Sequence, residues 1–373
     1  MLAARTRSCL LVGSASRGRG ARARPQLFEK IGREAKPGDE YGSKRDYACD
    51  LIPKFVMAKG LLVKILLHTR TTHYLDFAKV EGSYVMAKGV VNKVPATAQE
   101  ALNSNLMGMF EKRRMKKLLD YAFTYDPADA GTHGGKDMKA LTTQAVFDSY
   151  SLDPATGTFI GHSIAMYTED SYLAKPAEET LGKMKLYAES MMQYGDSPYI
   201  YPLYGLGDLP QAFARLSAVY GGTFMLDTPF KGIVTDDDGE LCGINSTVEG
   251  KDCVLSCKAI FASPDYFPDK VAKKGDIARC YCILKAPVMP DGRNPQQSGQ
   301  IVIPGAECGK KNDVYVMWMG KSLSVAPDGF YYAIVTTTLE GGAPDAELGS
   351  GLGLSAPTTF FGRLESSTPG AVR

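Results

Sequence analysis

The sequence predicts a mixed α/β fold of the α+β kind, in which a helical domain is inserted into a sheet-forming main domain. Three observations predict it. Between about 96 and 195 apolar residues recur at helical spacing. On both sides of that stretch, short alternating or wholly apolar runs are punctuated by Gly, Pro and Asp, as strands are. A helix introduced by Gly205 and Gly207, closed by Gly221-Gly222 and followed by an apolar run has the order of the second half of a dinucleotide-binding fold.

Residues 1–26 form an Arg-rich leader, with six arginines and no acid in the first 24 positions around Leu10-Leu11-Val12. That is the composition of an organelle transit peptide, or of a wrongly assigned first exon, and in either case it is expected to stand outside the fold. The main domain is expected over 27–95 and 196–345, beginning with Phe28, Ile31 and a Pro37-Gly38 turn. Leu61, Leu62, Ile65 and Leu66 have the spacing of a buried helical face, and short strands around Tyr84–Val85 and Val90–Val94 precede Pro95.

The helical domain spans 96–195. Its first helix is expected from Thr97, which caps it together with Glu100, to about Phe123. Leu102, Leu106, Met109, Phe110, Leu118 and Leu119 fall on one side of it and Lys112–Arg114 with Lys116-Lys117 largely opposite. A second helix over 176–193 aligns Leu181, Met184, Ala188 and Met191, with shorter pieces at 145–150 and 159–166 between them.

The segment 194–204 holds four tyrosines and two prolines and reads as a surface loop, too polar and too broken by proline for a core strand. Asp208 is placed to cap a helix from Leu209 to Tyr220. Strands are then expected at 224–226, 232–235, 240–245, 253–261, 279–284, 300–303, 314–319 and 330–337, with Asp237-Asp238-Gly239 as a hairpin turn. The Gly/Ser/Pro/Ala-rich stretch 346–373 reads as a flexible tail.

Composition narrows the function classes. With 43 basic and 41 acidic residues the net charge is +2, so no sequence-independent grip on nucleic acid is implied. The eight cysteines lack paired CxxC spacing and suit a reducing cytosol. The longest apolar run, Leu61 to Leu67, is interrupted by Lys64 and cannot span a bilayer. His68 and His73 are not at ligand spacing, and His133 and His162 have no Cys, His or Asp cluster in the nearby sequence, so no metal is expected. Neither G-x-S-x-G nor G-x-x-x-x-G-K-[ST] occurs, and Cys280 and Cys282 share one strand face as packing residues. A dinucleotide site also needs G-x-G-x-x-G after a strand, and the glycines at 13, 18 and 20 have the wrong spacing. No catalytic residue and no cofactor is therefore expected.

Longer motifs carry a resemblance. Leu51-Ile-Pro-Lys-Phe55, Tyr74-Leu-Asp-Phe77, Val80-Glu-Gly-Ser83, Asn105-Leu-Met-Gly-Met-Phe-Glu-Lys-Arg-Arg114, Lys185-Leu-Tyr-Ala-Glu-Ser190 and Ser197-Pro-Tyr-Ile-Tyr-Pro-Leu-Tyr-Gly-Leu-Gly207 resemble Rab GDP-dissociation inhibitors over about 27–350. The resemblance implies a non-enzymatic, monomeric cytosolic protein with a flavoprotein-like, FAD/NAD(P)-binding type of main domain. It implies binding of GDP-loaded, geranylgeranylated Rab GTPases, inhibition of GDP release, and transient membrane contact during extraction. The matching Rab-binding positions are Asp208, Arg215, Thr223 and Met225, with Arg45 a further contributor. A mobile membrane loop maps to Gln193, Ser197 and Tyr199, and the prenyl pocket, by region, to Leu106, Met107, Phe110 and Met184. Three departures go with it: Asp208 stands where the family usually has Glu, Gln193 where it has Arg, and the family's opening glycine-rich strand, helix and platform tyrosine are replaced by the leader. Its last strands and helix, after about 350, are also expected to be missing. On that reading the chain is an incomplete member and a marginally stable fragment, with a flavin-dependent oxidoreductase on the same scaffold as the alternative.

Overall fold

Two apolar faces of one sheet organise the molecule. The computed structural model describes residues 9–12, 42–96, 98–104, 106–226, 228–263, 266–289, 296–354 and 361–372. Phe28, Ile31, the Pro37-Gly38 turn and Thr97 lie outside these. In chain order the first elements are β1 (Cys9–Val12), β2 (Val56–Met57), α1 (Leu61–His68), β3 (Phe77–Lys79), β4 (Gly82–Ala87) and β5 (Val90–Lys93). The helices α2 (Ala98–Asn103), α3 (Met109–Thr124), α4 (Thr143–Ser149), α5 (Pro154–Phe159) and α6 (Ala177–Tyr194) follow. Then come β6 (Tyr199–Pro202), α7 (Asp208–Val219), β7 (Phe230–Thr235), β8 (Leu241–Val248), β9 (Lys251–Ser256) and β10 (Ala259–Ala262). The chain continues with β11 (Val271–Leu284), β12 (Ser298–Ile303), β13 (Val314–Met319), β14 (Tyr331–Thr338), α8 (Pro344–Leu352) and β15 (Phe361–Val372).

The large sheet has the order β15-β11-β14-β13-β12-β4-β5, antiparallel except where β12 meets β4. Its middle strands read as continuous apolar runs because both faces are covered. On β13, Val314, Val316 and Trp318 belong to one core with Ile301, Val335 and Leu348. Met317 and Met319 belong to the other, with Tyr332, Ile334 and the helical residues Leu118, Val146, Phe147, Leu181 and Met184. The helical insert is thus packed directly on one face of the sheet.

Several expectations are corrected. Cys9–Val12, placed outside the fold on composition, forms β1 and pairs in parallel with β10, because a short apolar run is all a strand beside Ala259–Ala262 requires. The single helix expected from Thr97 to Phe123 is two, α2 and α3. Lys112 Nζ donates to the carbonyls of Leu102 (2.7 Å) and Ser104 (2.7 Å), closing α2, and Gly108 starts α3 anew in an extended conformation. On α1 only Leu66 is buried, while Leu61 and Ile65 face solvent.

The tyrosine-rich segment contains a core strand. β6 lies between β2 and β3, and all four of its residues are buried. Its polar tips are satisfied internally: Tyr201 OH donates to Asp50, and Tyr199 OH to Met166 Sδ at 3.2 Å. Pro198 precedes the strand and Pro202 closes it, where a missing N–H costs the ladder little.

The stretch 346–373 is not a featureless tail either. α8 lies on the sheet through Leu348, 1% exposed, and β15 pairs with β11. A Cβ on Gly351 would come within 2.5 Å of Val335 Cγ1 and 3.0 Å of Val314 Cγ1, so the lack of a side chain is what lets the helix approach. Small residues that read as flexible are here the condition for close packing.

Candidate functional site

Helix α7 projects the residues singled out from the sequence. Asp208 and Arg215 are both exposed, seven residues and so about 10 Å, two turns, apart along the axis on one face. Inward-facing Ala212 is 4% exposed and allows a close approach to the body. The Arg215 guanidinium lies 4.9 Å from the centre of the Tyr74 ring, an attraction between cation and ring face that limits its freedom. Past α7 the chain reverses at Gly221, and Thr223, Phe224, Met225 and Leu226 are all exposed. The strand expected at 224–226 is not formed: these residues pair with no strand among the described residues. Val219 and Tyr220 extend the same exposed apolar run.

The cap expected of Asp208 is not formed. Asp208 is the first helical residue, and the residue before it, Gly207, makes no side-chain capping bond. Instead Asp50 Oδ2 accepts the Leu206 N–H at 2.6 Å and the Tyr201 hydroxyl. Burial raises the Asp50 pKa, opposed by the Tyr201 hydroxyl and the Leu206 and Gly207 amides. Asp208 is also raised, first by partial burial and then by the Asp50 charge. The entry loop is tied down at further points, Leu203 N–H to Asp76 O (2.9 Å) and Tyr204 N–H to Leu323 O (3.1 Å). Gly205, at φ +92°, approaches so closely that a Cβ would lie 2.7 Å from Asp50 Oδ2. Asp50 was not foreseen; an acid inside the otherwise apolar run Tyr47–Pro53 was the available signal, since a buried carboxylate needs donors.

The remaining expected positions divide. Arg45 is exposed on the separate turn Lys44–Asp46, in the segment that leads into Asp50. Gln193 is exposed near the end of α6, as are Met192 and Tyr194. Ser197 and Tyr199 are 4% and 3% exposed, so the idea of one mobile loop holding all three is corrected. Tyr199 belongs to β6 and Ser197 accepts its N–H at 3.2 Å, which leaves 192–196 as the exposed part. Leu106 and Met107 pack half-buried against the core that includes Met184, whereas Phe110 is 75% exposed with Arg113 over its ring. Phe110 is therefore not a wall of an interior pocket here.

His162, read as isolated, is brought between two carboxylates. Its Nδ1 is 2.7 Å from Asp313 Oδ2 and its Nε2 2.9 Å from Asp170 Oδ1. Gly305 N–H and Tyr315 OH also donate to Asp313, so the cluster is closed by hydrogen bonds. No group of three or more His, Cys, Asp or Glu suited to a metal occurs among the described residues, and no helix there is long and apolar enough to cross a membrane. Cys280 and Cys282 do share a face, with sulfurs 3.9 Å apart, and their mutual hydrogen bond together with burial pushes the Cys282 thiol well up.

Comparison with known proteins identifies the family. The model of the GDI family, described as GDP dissociation inhibitor, matches residues 20–364. Guanosine nucleotide diphosphate dissociation inhibitor 2 of Arabidopsis thaliana is 46% identical over 347 residues, covering 92% of this chain and 77% of its own. Inhibitor 1 of the same plant is 46% identical over 333 residues, covering 89% and 74%. The crystal structure of Rab GDI from Plasmodium falciparum superposes with a TM-score of 0.82 at 37% identity, covering 92% of this chain and 79% of that one. Putrescine oxidase, at a TM-score of 0.51 and 13% identity over 96% of this chain and 84% of its own, shares the fold alone. The named relatives are regulators of nucleotide dissociation rather than catalysts. The chain belongs to the GDP dissociation inhibitor family.

Proposed function

We propose that this protein binds GDP-loaded, geranylgeranylated Rab GTPases, slows their GDP release and draws them from membranes in the cytosol. The observation that carries the reading is the exposed surface of α7 and 223–226, anchored at its entry and open at its face. Asp208 and Arg215 offer opposite charges there, and Thr223, Phe224 and Met225 offer adjoining apolar area, the mixture of a protein interface. Arg45 adds a further cation to the same task. The half-buried Leu106 and Met107, packed on the core that contains Met184, are the region where an isoprenoid would insert, flexible thioethers being suited to a long apolar chain. The exposed 192–196 segment, with Met192, Gln193 and Tyr194, is the part that touches the membrane.

The reading is tested with a prenylated Rab loaded with a fluorescent GDP analogue. The chain should slow analogue release and bind the GDP form at least about 10-fold more tightly than the GTP form, since a partner is shifted only by differential affinity. Equal affinity for the two forms would sink the reading. The oxidoreductase alternative rests on fold likeness alone, and flavin absorbance in the purified protein would be needed to revive it.

A further inference from the structure

We propose that Asp50 is the positioning residue of the GTPase-binding surface: its carboxylate fastens the loop that enters α7 and sets where Asp208 and Arg215 stand relative to the large sheet. This rests on the functional reading above. α7 has no side-chain cap of its own, and its first amides are taken by the loop that precedes it, Asp208 N–H by Gly205 O at 3.4 Å and Leu209 N–H by Leu206 O at 3.2 Å, so the helix starts where that loop is held. Asp50 Oδ2 holds that loop at Leu206 N–H, and Tyr201 OH donates to the same oxygen, fixing the carboxylate's orientation.

The backbone around Asp50 is fastened in turn to the sheet. Tyr332 OH of β14 donates to Asp50 O at 2.9 Å, Tyr281 OH of β11 to Leu51 O at 2.8 Å, and Ala48 N–H to Val325 O at 3.0 Å. A continuous path therefore runs from β11 and β14 through Asp50 to the start of α7. Tyr204, held at φ +65° within the entry loop, shows that the surrounding contacts determine the backbone there. Asp50 itself is half-buried beneath the loop and acts on a partner through α7.

The test compares Asp50→Ala and Asp50→Asn in the full chain, with a geranylgeranylated Rab loaded with a fluorescent GDP analogue as probe. Asparagine keeps an oxygen that accepts both hydrogen bonds; alanine keeps none. The alanine variant should bind about 10-fold or more weakly and the asparagine variant within about 3-fold of the unaltered protein, the loss lying in faster dissociation. In an Arg215→Ala background the Asp50→Ala effect should shrink below about 3-fold, because two residues acting through one helix are coupled. Amide exchange should quicken at Leu206 and Gly207 and stay unchanged in β13. If Asp50→Ala gives no cooperative unfolding, Asp50→Ser, too short to reach Leu206 N, takes its place.

Additive losses, or an asparagine variant as weak as alanine, overturn the positioning role. Binding unchanged in Asp50→Ala overturns it while leaving the Rab reading intact. Failure of the unaltered chain to bind the probe overturns the Rab reading and with it the role of Asp50.

Discussion

Replacing His162 by leucine should destabilise the protein by about 3 kcal/mol, and the loss should diminish as pH rises. Leucine nearly preserves volume but removes both ring nitrogens from Asp313 and Asp170. Asp313 is completely buried at its side chain, so the substitution leaves an anion without its cation. Removing one partner of a buried pair typically costs ~3–5 kcal/mol, and the lower end applies because Gly305 N–H and Tyr315 OH still donate to Asp313. Asp170 is largely exposed and contributes little. At 2–4 °C per kcal/mol for a large domain, the shift is roughly 6–12 °C in Tm. The pH dependence follows from the imidazole. Burial alone lowers its pKa, but hydrogen bonds and charge from Asp313 and then Asp170 outweigh it, and the folded pKa stands above 6.5. The stabilisation is therefore complete below pH 6.5 and is lost as pH climbs through the raised folded value. Urea denaturation of both proteins across that range is the assay. A gap between them that stays constant or widens with rising pH would refute the reasoning.

Three further outcomes are expected. Gly351→Val should cost ~1–3 kcal/mol in urea denaturation by driving α8 off Val335 and Val314, with far-UV helicity retained. Leu118→Ala, at a completely buried position between helices and sheet, should cost ~2–5 kcal/mol and lower cooperativity in neither half, since both pack into one core. Arg215→Ala should weaken Rab-GDP binding by about 10-fold as measured by fluorescence titration, while changing stability by less than ~1 kcal/mol, because its contact with Tyr74 is at the surface.

What was legible in the sequence is what local pattern determines. β13 was expected at 314–319 and is found there, because a run buried on both faces is apolar without interruption. α6 keeps Leu181 and Met184 on one face and so declared its length. The failures share another cause: the deciding partner is remote. Tyr201 can occupy a core strand because Asp50, 151 residues away, accepts its hydroxyl. His162 is paired by Asp313, again 151 residues away. α8 is built from small residues because the far side of the sheet presents Val314, Val316 and Val335, a fact of surface shape that composition reads as looseness. The candidate site repeats the division. Asp208, Arg215, Thr223 and Met225 sit on one contiguous, recognisable segment, whereas the group that anchors the entry to that segment comes from the run before Leu51-Ile52-Pro53 and becomes visible only when both ends of a long-range hydrogen bond are in place. The residues that present a surface can thus be read locally, but those that position it cannot. Asp50 is where that difference has a measurable consequence, since its alanine variant should leave every presented side chain intact and still hold the partner more weakly.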